Sequence, residues 1–583
     1  MLNQEIAKIF YQIAQYLEIE GVAFKPQAYE KVAMNLEILS ENISDIYRKG
    51  GLGALEQIPG IGKSIAEKIE EYMKTGKIKE YEKLKKKIPV NIEELTAVEG
   101  IGPKKIKILY QKLKIKNLKD LEKAAKARKI APLFGFGEKT EKNILEGIEF
   151  LKRSRGRFLL GEILPTVEEI IRKLEKLKEV KIISPAGSVR RMKETVGDVD
   201  ILAIVENPER IMDYFVSLPE VVKIWSKGPT KASVRMSRGF DIDLRVLPEK
   251  SFGSALQYFT GSKEHNIALR KIAIDKGLKL SEYGLFKRTS AGWRMIAGET
   301  EEEIYEKLGL KLIPPEMREN SGEIEAALAG KLPRIIGYGD ILGDLHVHSD
   351  WNGGKNSIEE LAKVAMAMGY QYIGISDHTK FLAIEHGLDE KKLEKRNKEI
   401  DRLNVKFKSQ LSGVRGQMFS ILKGCEANIM ADGSIDIKDK ALAKLDYVIA
   451  GVHSQMKMPK EKMTERIIKA MGNPHVDIIS HPTGRLIGRR DEYEIDFDKI
   501  LKVAGETGTV LEINANPHRL DLKDVNIRKA KKAGVKLVIN SDAHHKDQLN
   551  LMEYGVNQAC RGWAEKNDIV NCWPAKKMLK MLK

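Results

Sequence analysis

The chain has 583 residues, a formal net charge of +17 and three cysteines, Cys425, Cys560 and Cys572. That length allows roughly three to five domains. The positive balance favours a polyanionic partner such as nucleic acid, and so few cysteines exclude a disulfide framework or a thiolate zinc cluster. No apolar run reaches the ~18 residues that would cross a bilayer, and Met1-Leu2-Asn3-Gln4-Glu5 lacks a basic-then-apolar signal, so a cytoplasmic protein with no membrane partner is expected.

Residues 1–89 read as several helices, with Ile6, Ile9, Phe10, Ile13 and Leu17 at helical spacing. Within them Gly60-Ile61-Gly62-Lys63 is a glycine turn opening a helix. Such a turn serves either tight packing or a phosphate oxygen received by outward-pointing amides. Residues 90–154 repeat the pattern at Gly100-Ile101-Gly102-Pro103-Lys104 and, less cleanly, at Gly135-Phe136-Gly137. Between the last two turns, residues 103–129 hold eleven basic side chains against Asp120 and Glu122 alone, a surface suited to lie along phosphates.

From 155 the pattern changes to alternating helix and strand, with a helix over 170–177 and a strand over 180–184. The segment from Gly187 to Leu202 reads as strand, turn and strand: a Gly-Ser corner and two arginines precede Asp198 and Asp200, which a period of two points to one face. Paired carboxylates can hold Mg²⁺ and bridge it to substrate phosphates, while Ser188 and Arg191 meet the phosphate tail of a nucleoside triphosphate. The run 240–247 alternates again and offers Asp241 and Asp243, which spacing alone leaves on the same face.

Gly187-Ser188, Gly197-Asp198-Val199-Asp200, Ile242-Asp243-Leu244-Arg245 and Tyr258-Phe259-Thr260-Gly261-Ser262, in that order, resemble the family X (polymerase beta-like) nucleotidyltransferases. The resemblance implies a palm over 155–250 and a nucleotide-selection subdomain over 251–321. It selects Asp243 as the third metal ligand, so that two Mg²⁺ ions would serve attack of a primer 3′-hydroxyl on the α-phosphate. It also implies that Tyr258, Phe259 and Gly261 lie beside the incoming sugar, that Asn266 meets the incoming base and that Arg270 meets the template. The glycine turns resemble helix-hairpin-helix repeats, so Gly60, Gly62, Gly100, Gly102 and Lys104 would grip the DNA backbone. Lys68 matches the family's deoxyribose-phosphate lyase lysine, with Lys25 and Lys63 placed for a 5′-phosphate; imine formation there needs a neutral amine.

A Gly- and Ala-rich linker over 322–343 leads to a second chemistry, because ten of the eleven histidines follow residue 340. His346 and His348, His378, Glu426, His453, His481, and Asp542 with His544 each follow an apolar strand-like run, among them 372–375, 447–450, 477–479 and 535–539. Strands alternating with helices bring such groups together at one end of a barrel. The pattern resembles the PHP (polymerase and histidinol phosphatase) domain, a distorted (β/α)₇ barrel with up to three metals, here over 344–583. The resemblance implies one ion on His346, His348, Glu426 and Asp542, a second on Glu426, His453 and His481, and a third reached by His378 and His544. Mixed imidazole and carboxylate ligands suit Mn²⁺ or Zn²⁺, and the implied activity is 3′–5′ exonuclease or abasic-site endonuclease. Asp344, Glu512 and Asn514 would orient the ligands, and Arg485, Arg489 and Arg490 would touch DNA phosphate. Where the family carries an acid or histidine five residues after His348 this chain has Gly353, so the third metal is expected to bind weakly or to use Asp350 or water.

The expected fold is therefore multidomain α+β and α/β: helical helix-hairpin-helix domains (1–89, lyase-like, and 90–154), a polymerase beta-like palm and a PHP barrel. The expected function is that of a DNA-directed DNA polymerase of bacterial or archaeal type, monomeric, filling short gaps in repair with deoxynucleoside triphosphates on gapped or nicked DNA. The alternative is a PHP phosphoesterase whose amino-terminal half only binds DNA.

Overall fold

The computed structural model describes residues 2–37, 42–58, 60–96, 98, 101–138, 140–142, 144–145, 148, 157–381, 387–411 and 419–582. It divides into two compact units, 1–155 with 488–490, and 156–487 with 491–583.

The first unit is helical. Leu2–Glu20 pairs with Lys25–Glu37, and Ile6, Phe10, Ile13 and Leu17 are buried while Ile9 packs at the margin of the same core. Gly60 has φ +84, and Gly62 caps the helix Lys63–Thr75, which stops at Gly76 in the left-handed region. Gly102 caps Pro103–Leu113 in the same way, with the proline at the first helical turn where its missing N–H costs nothing. Leu118–Lys126 buries Leu118, Leu121 and Ala125 and leaves Lys119, Lys123 and Lys126 exposed, the division expected of an amphipathic helix.

The second unit begins with a five-stranded sheet in the order Val180–Pro185, Asp198–Val205, Asp241–Val246, Lys231–Met236, Val221–Lys227. Asp198–Val205 and Asp241–Val246 run parallel, and the helices Leu160–Glu175 and Pro208–Val216 contribute to the core of this sheet. The expected strand–turn–strand reading of 187–202 is corrected in part. Gly187–Arg190 is a helical turn leading into the short strand Thr195–Val196 and then Asp198–Val205. Helices Phe252–Thr260, Lys263–Asp275 and Glu301–Lys307 accompany an antiparallel sheet of Leu278–Ser281, Gly284–Thr289 and Gly292–Ala297.

Residues 322–343 are more than a tether. They contain the helix Glu323–Leu328, whose Ile324 and Ala327 pack in the core with Leu269 and Tyr305, while Ile336 and Ile341 pack in the core that follows. That core belongs to a barrel of parallel strands: Gly343–Val347, Tyr372–Ile375, Ser420–Lys423 continued after a break by Glu426–Asn428, Ile449–Gly451, Ile478–Ile479, Val510–Asn514 and Leu537–Asn540. Taking the broken pair as one, these are seven strand positions, and a parallel bridge from Val347 to Ala543 joins the last position to the first. The break at Gly424-Cys425 is the distortion of the (β/α)₇ barrel. Tyr372–Ile375 and Leu537–Asn540 read as near-continuous apolar runs because both faces are covered.

Candidate active sites

The four aspartates of the five-stranded sheet meet because of strand register. Asp198 stands opposite Asp241 and Asp200 opposite Asp243 across a parallel ladder, so all four side chains leave the same face. The two candidates for a third acid have different partners. Asp241 is taken by both donors of Arg235 (2.6 and 2.9 Å) and by Trp225 Nε1 (3.0 Å), and these contacts hold its carboxyl below the usual range. Asp243 stays beside Asp200 and is held by Ser233 Oγ, Lys231 Nζ at 2.8 Å and Arg245 Nη2 at 3.3 Å. Burial first, and then the charge on Asp198, pushes the Asp200 carboxyl up to about 6 against the opposing pull of Arg245. Gly187, at φ +63, permits this crowding, because a Cβ there would stand 3.3 Å from Asp200 Oδ2.

Next to the acids, Arg191, Tyr258, Phe259, Gly261, Asn266 and Arg270 line one cleft of about 270 Å³, joined by Ser262 and by Lys263, which sequence reasoning did not single out. Tyr258 and Phe259 pack edge to face with centroids 5.2 Å apart. Asn266 receives Gln257 Nε2 on its oxygen and donates to Tyr258 O, both at 2.7 Å. Arg191 donates to Thr260 O and, at 3.1 Å, to Glu319. Ser188 lies on the helical turn preceding the acids, and Gly197 directly before Asp198; neither lines that cleft.

In the helical unit, Lys25 and Lys63 are exposed at the starts of their helices, and a Cβ at Gly62 or Gly102 would meet nothing within 4 Å, so the helix N-termini that Gly62 and Gly102 cap are open to a phosphate. Lys104 is exposed, Gly60 supplies the turn, and Gly100 lies outside the described residues. Lys68 Nζ is bonded to Ser64 Oγ (2.8 Å) and Ser64 O (3.1 Å) and paired with Glu80 at 3.2 Å, the contacts of an ammonium.

In the barrel, strand ends gather the histidines around Glu426. Its Oε2 lies 2.8 Å from His378 Nδ1, 3.2 Å from His346 Nε2 and 3.7 Å from His348 Nε2, and its Oε1 lies 3.1 Å from both His453 Nε2 and His481 Nε2. Ligand atoms within 4.8 Å of one another form three groups: His346, His348 and Asp542; His348, His378 and His544; and His378, Glu426 and His453. His348 and His378 thus each belong to two groups. His346 Nε2, His348 Nε2 and His378 Nδ1 face Glu426 and are buried without a hydrogen bond of good geometry, a costly state that cation coordination relieves. Burial lowers the His348 pKa, as do His544 and His378; for His346 burial is outweighed by Glu426, Glu512 and Asp542, and the pKa rises well above the ordinary histidine value. The donor set fits divalent cations.

Orienting groups surround the ligands. His346 Nδ1 donates to Glu512 Oε1 (2.7 Å), which turns Nε2 inward; Asn514 Nδ2 donates to Asp542 Oδ2 (3.0 Å); Asp344 accepts the backbone N–H groups of His346 and Ser541. Sequence reasoning missed Asn428, which accepts from His453 Nδ1 at 2.7 Å, and Ser480, whose hydroxyl donates to Glu426 Oε1 at 2.8 Å. An asparagine two residues along a strand from Glu426 was the only signal. Gly353 is exposed at φ +63 and offers no side-chain ligand. One expectation is overturned. Arg485 is buried and donates to Glu194 (2.7 Å) and to Leu520 O, so it does not reach out to DNA.

Comparison with known proteins agrees with this architecture. Family descriptions match in order: helix-hairpin-helix domain at 1–78, SAM-like helix-hairpin-helix tandem at 92–149, DNA polymerase beta thumb at 255–319 and PHP domain at 344–516. The DNA polymerase/3′-5′ exonuclease PolX of Bacillus subtilis (strain 168) is 38% identical over 586 residues, spanning 100% of both chains. Probable phosphatases of Thermoanaerobacter sp. (strain X514) and Caldanaerobacter subterraneus subsp. tengcongensis are each 34% identical over 34% of this chain, covering 78% and 75% of their own lengths. Membership of this polymerase and nuclease group carries dependence on divalent metal and on DNA, and among the described residues no helix is long and apolar enough to cross a membrane. From its two ends inward, the chain belongs to the family X, polymerase beta-like DNA polymerases that carry a C-terminal PHP domain.

Proposed function

We propose that this chain fills short gaps in DNA during repair, extending a primer with deoxynucleoside triphosphates at Asp198, Asp200 and Asp243, and removes 3′ nucleotides at the barrel. The register that sets Asp200 beside Asp243 carries the reading. Mg²⁺ held by the three acids would lower the pKa of the primer hydroxyl and neutralise charge developing on the phosphates. Ser188 and Arg191 bind the triphosphate tail, Tyr258 and Phe259 close the sugar side of the cleft, and Arg270 meets the template strand. Arg245, 4.0 Å from Asp200 and stacked 4.6 Å from Phe259, ties the acids to that aromatic wall.

At the barrel, Mn²⁺ or Zn²⁺ suits the histidines and carboxylates around Glu426, and would supply an activated water for phosphodiester hydrolysis. Glu512 and Asn428 keep the ring nitrogens of His346 and His453 aimed inward. The same centre is assigned abasic-site cleavage, and Lys68 an auxiliary lyase role that requires its release from Glu80. The protein acts as a monomer on gapped or nicked DNA, in a reducing cytoplasm that suits three free buried cysteines. A barrel nuclease with a merely DNA-holding amino-terminal half is set aside, since the full-length relative is named for both activities.

Primer extension on a one-nucleotide gap tests the first activity: wild type extends and Asp198→Ala does not. Mn²⁺-dependent release of 3′ nucleotides tests the second, with His346→Ala inactive; release undiminished in that variant overturns the ligand assignment.

A further inference from the structure

A side chain from the barrel stands behind Arg191, a residue that lines the cleft. Arg561 ends the barrel helix Met552–Arg561, and its side chain is only 2% exposed. Its Nη1 donates to the backbone oxygen of Arg191 (2.9 Å) and to Glu319 Oε1 (3.2 Å), and its Nη2 donates to Asp524 Oδ2 (2.5 Å). The same Glu319 oxygen accepts from Arg191 Nε at 3.1 Å and faces Lys193 Nζ at 3.5 Å. One carboxylate oxygen therefore stands between the guanidinium that lines the cleft and one that belongs to the barrel.

Charge decides what this arrangement does. Arg191, Lys193 and Arg561 face Glu319 and Asp524, three cations to two carboxylates, in a half-buried place where water screens poorly. Burial favours a protonated Glu319, but Arg561, Lys193 and Arg191 outweigh it and keep the carboxylate ionised. With Arg561 sharing it, Glu319 orients Arg191 without cancelling its charge. Without Arg561, Glu319 would be shared only by Lys193 and Arg191 and would compete with the triphosphate for the Arg191 guanidinium. A second barrel arginine steadies the turn three residues on, where Arg485 grips Glu194.

We propose that Arg561 is a positioning residue for the polymerase reaction: by sharing Glu319 it leaves Arg191 oriented and electrostatically available to the triphosphate. The inference rests on Arg191 as a triphosphate ligand, and it makes the barrel part of the nucleotide site in addition to its own metal centre.

The test uses the full-length protein in single-nucleotide gap filling. Arg561→Met is expected to raise KM for the incoming nucleotide about tenfold, the scale of a typical coupling between sites, with a smaller change in kcat and with unchanged affinity for gapped DNA. The deciding variant adds Glu319→Gln to Arg561→Met. Removing the unbalanced carboxylate should return KM most of the way to the wild-type value, whereas a purely structural role makes the double variant worse than either single one. An unchanged KM in Arg561→Met, or no recovery in the double variant, overturns the proposal. Failure of the wild type to extend any primer would instead overturn the polymerase reading beneath it.

Discussion

Asp200 and Asp243 are register partners on adjacent parallel strands, and both carboxylates emerge on the face that also carries Asp198. Asp241 shares that face but is clamped by Arg235 and Trp225. Asp243→Asn should therefore abolish primer extension, a loss of at least about a thousandfold. Asp241→Asn should leave the rate within about tenfold of wild type and cost at most ~1 kcal/mol in urea unfolding, because its partner is a solvent-accessible arginine.

The Asp200 carboxyl, raised from 3.8 to about 6 by burial and Asp198, has a stability consequence in metal-free protein. A raised acid favours the protonated fold, so this site costs stability above pH 6, and the cost is relieved as pH falls from about 6 toward 3.8. Asp200→Asn should stabilise metal-free protein at pH 7.5 by on the order of 1–3 kcal/mol, with the difference gone below about pH 4. Unfolding curves at the two pH values in EDTA check both sign and window. Adding Mg²⁺ should stabilise the wild type and not the variant.

Asn428 orients His453 without itself reaching Glu426's carboxylate. Asn428→Ala should weaken Mn²⁺ binding about 10–100-fold, as loss of an orienting partner does, while Glu426→Gln should abolish binding. Titration calorimetry on protein stripped of metal reads both. Neither change should slow primer extension, because no polymerase residue touches these groups among the described residues.

Glu301 is buried between Arg190 (2.6 and 3.0 Å) and the fully buried Arg318. Glu301→Gln leaves two guanidinium groups uncompensated and should cost roughly 3–5 kcal/mol. A correspondingly lowered chemical-denaturation midpoint would show it.

Borohydride trapping on a 5′-deoxyribose-phosphate substrate examines Lys68. A covalent adduct lost in Lys68→Ala and increased in Glu80→Gln is the expected result, since Glu80 holds the ammonium. An adduct retained by Lys68→Ala would assign the chemistry to another amine.

Much of this was written locally. Alternation fixed which side of a strand Asp198 and Asp200 occupy, glycine turns announced helix starts at Lys63 and Pro103, and apolar runs ending in histidine outlined the barrel, because each depends only on neighbours a few residues away. The sequence by itself determined the chemistry available: three acids and a histidine-rich set fit to hold cations. Only tertiary structure decided how they are used. Register with a strand some forty residues away set Asp243 beside Asp200 and Asp241 beside Asp198; the barrel turned Glu426's two oxygens toward different histidines; and packing of the barrel against the neighbouring sheet domain buried Arg485 and brought Arg561 to Arg191. Those outcomes rest on contacts between residues tens to hundreds of positions apart, and charge compensation at that range leaves no periodic trace in the chain.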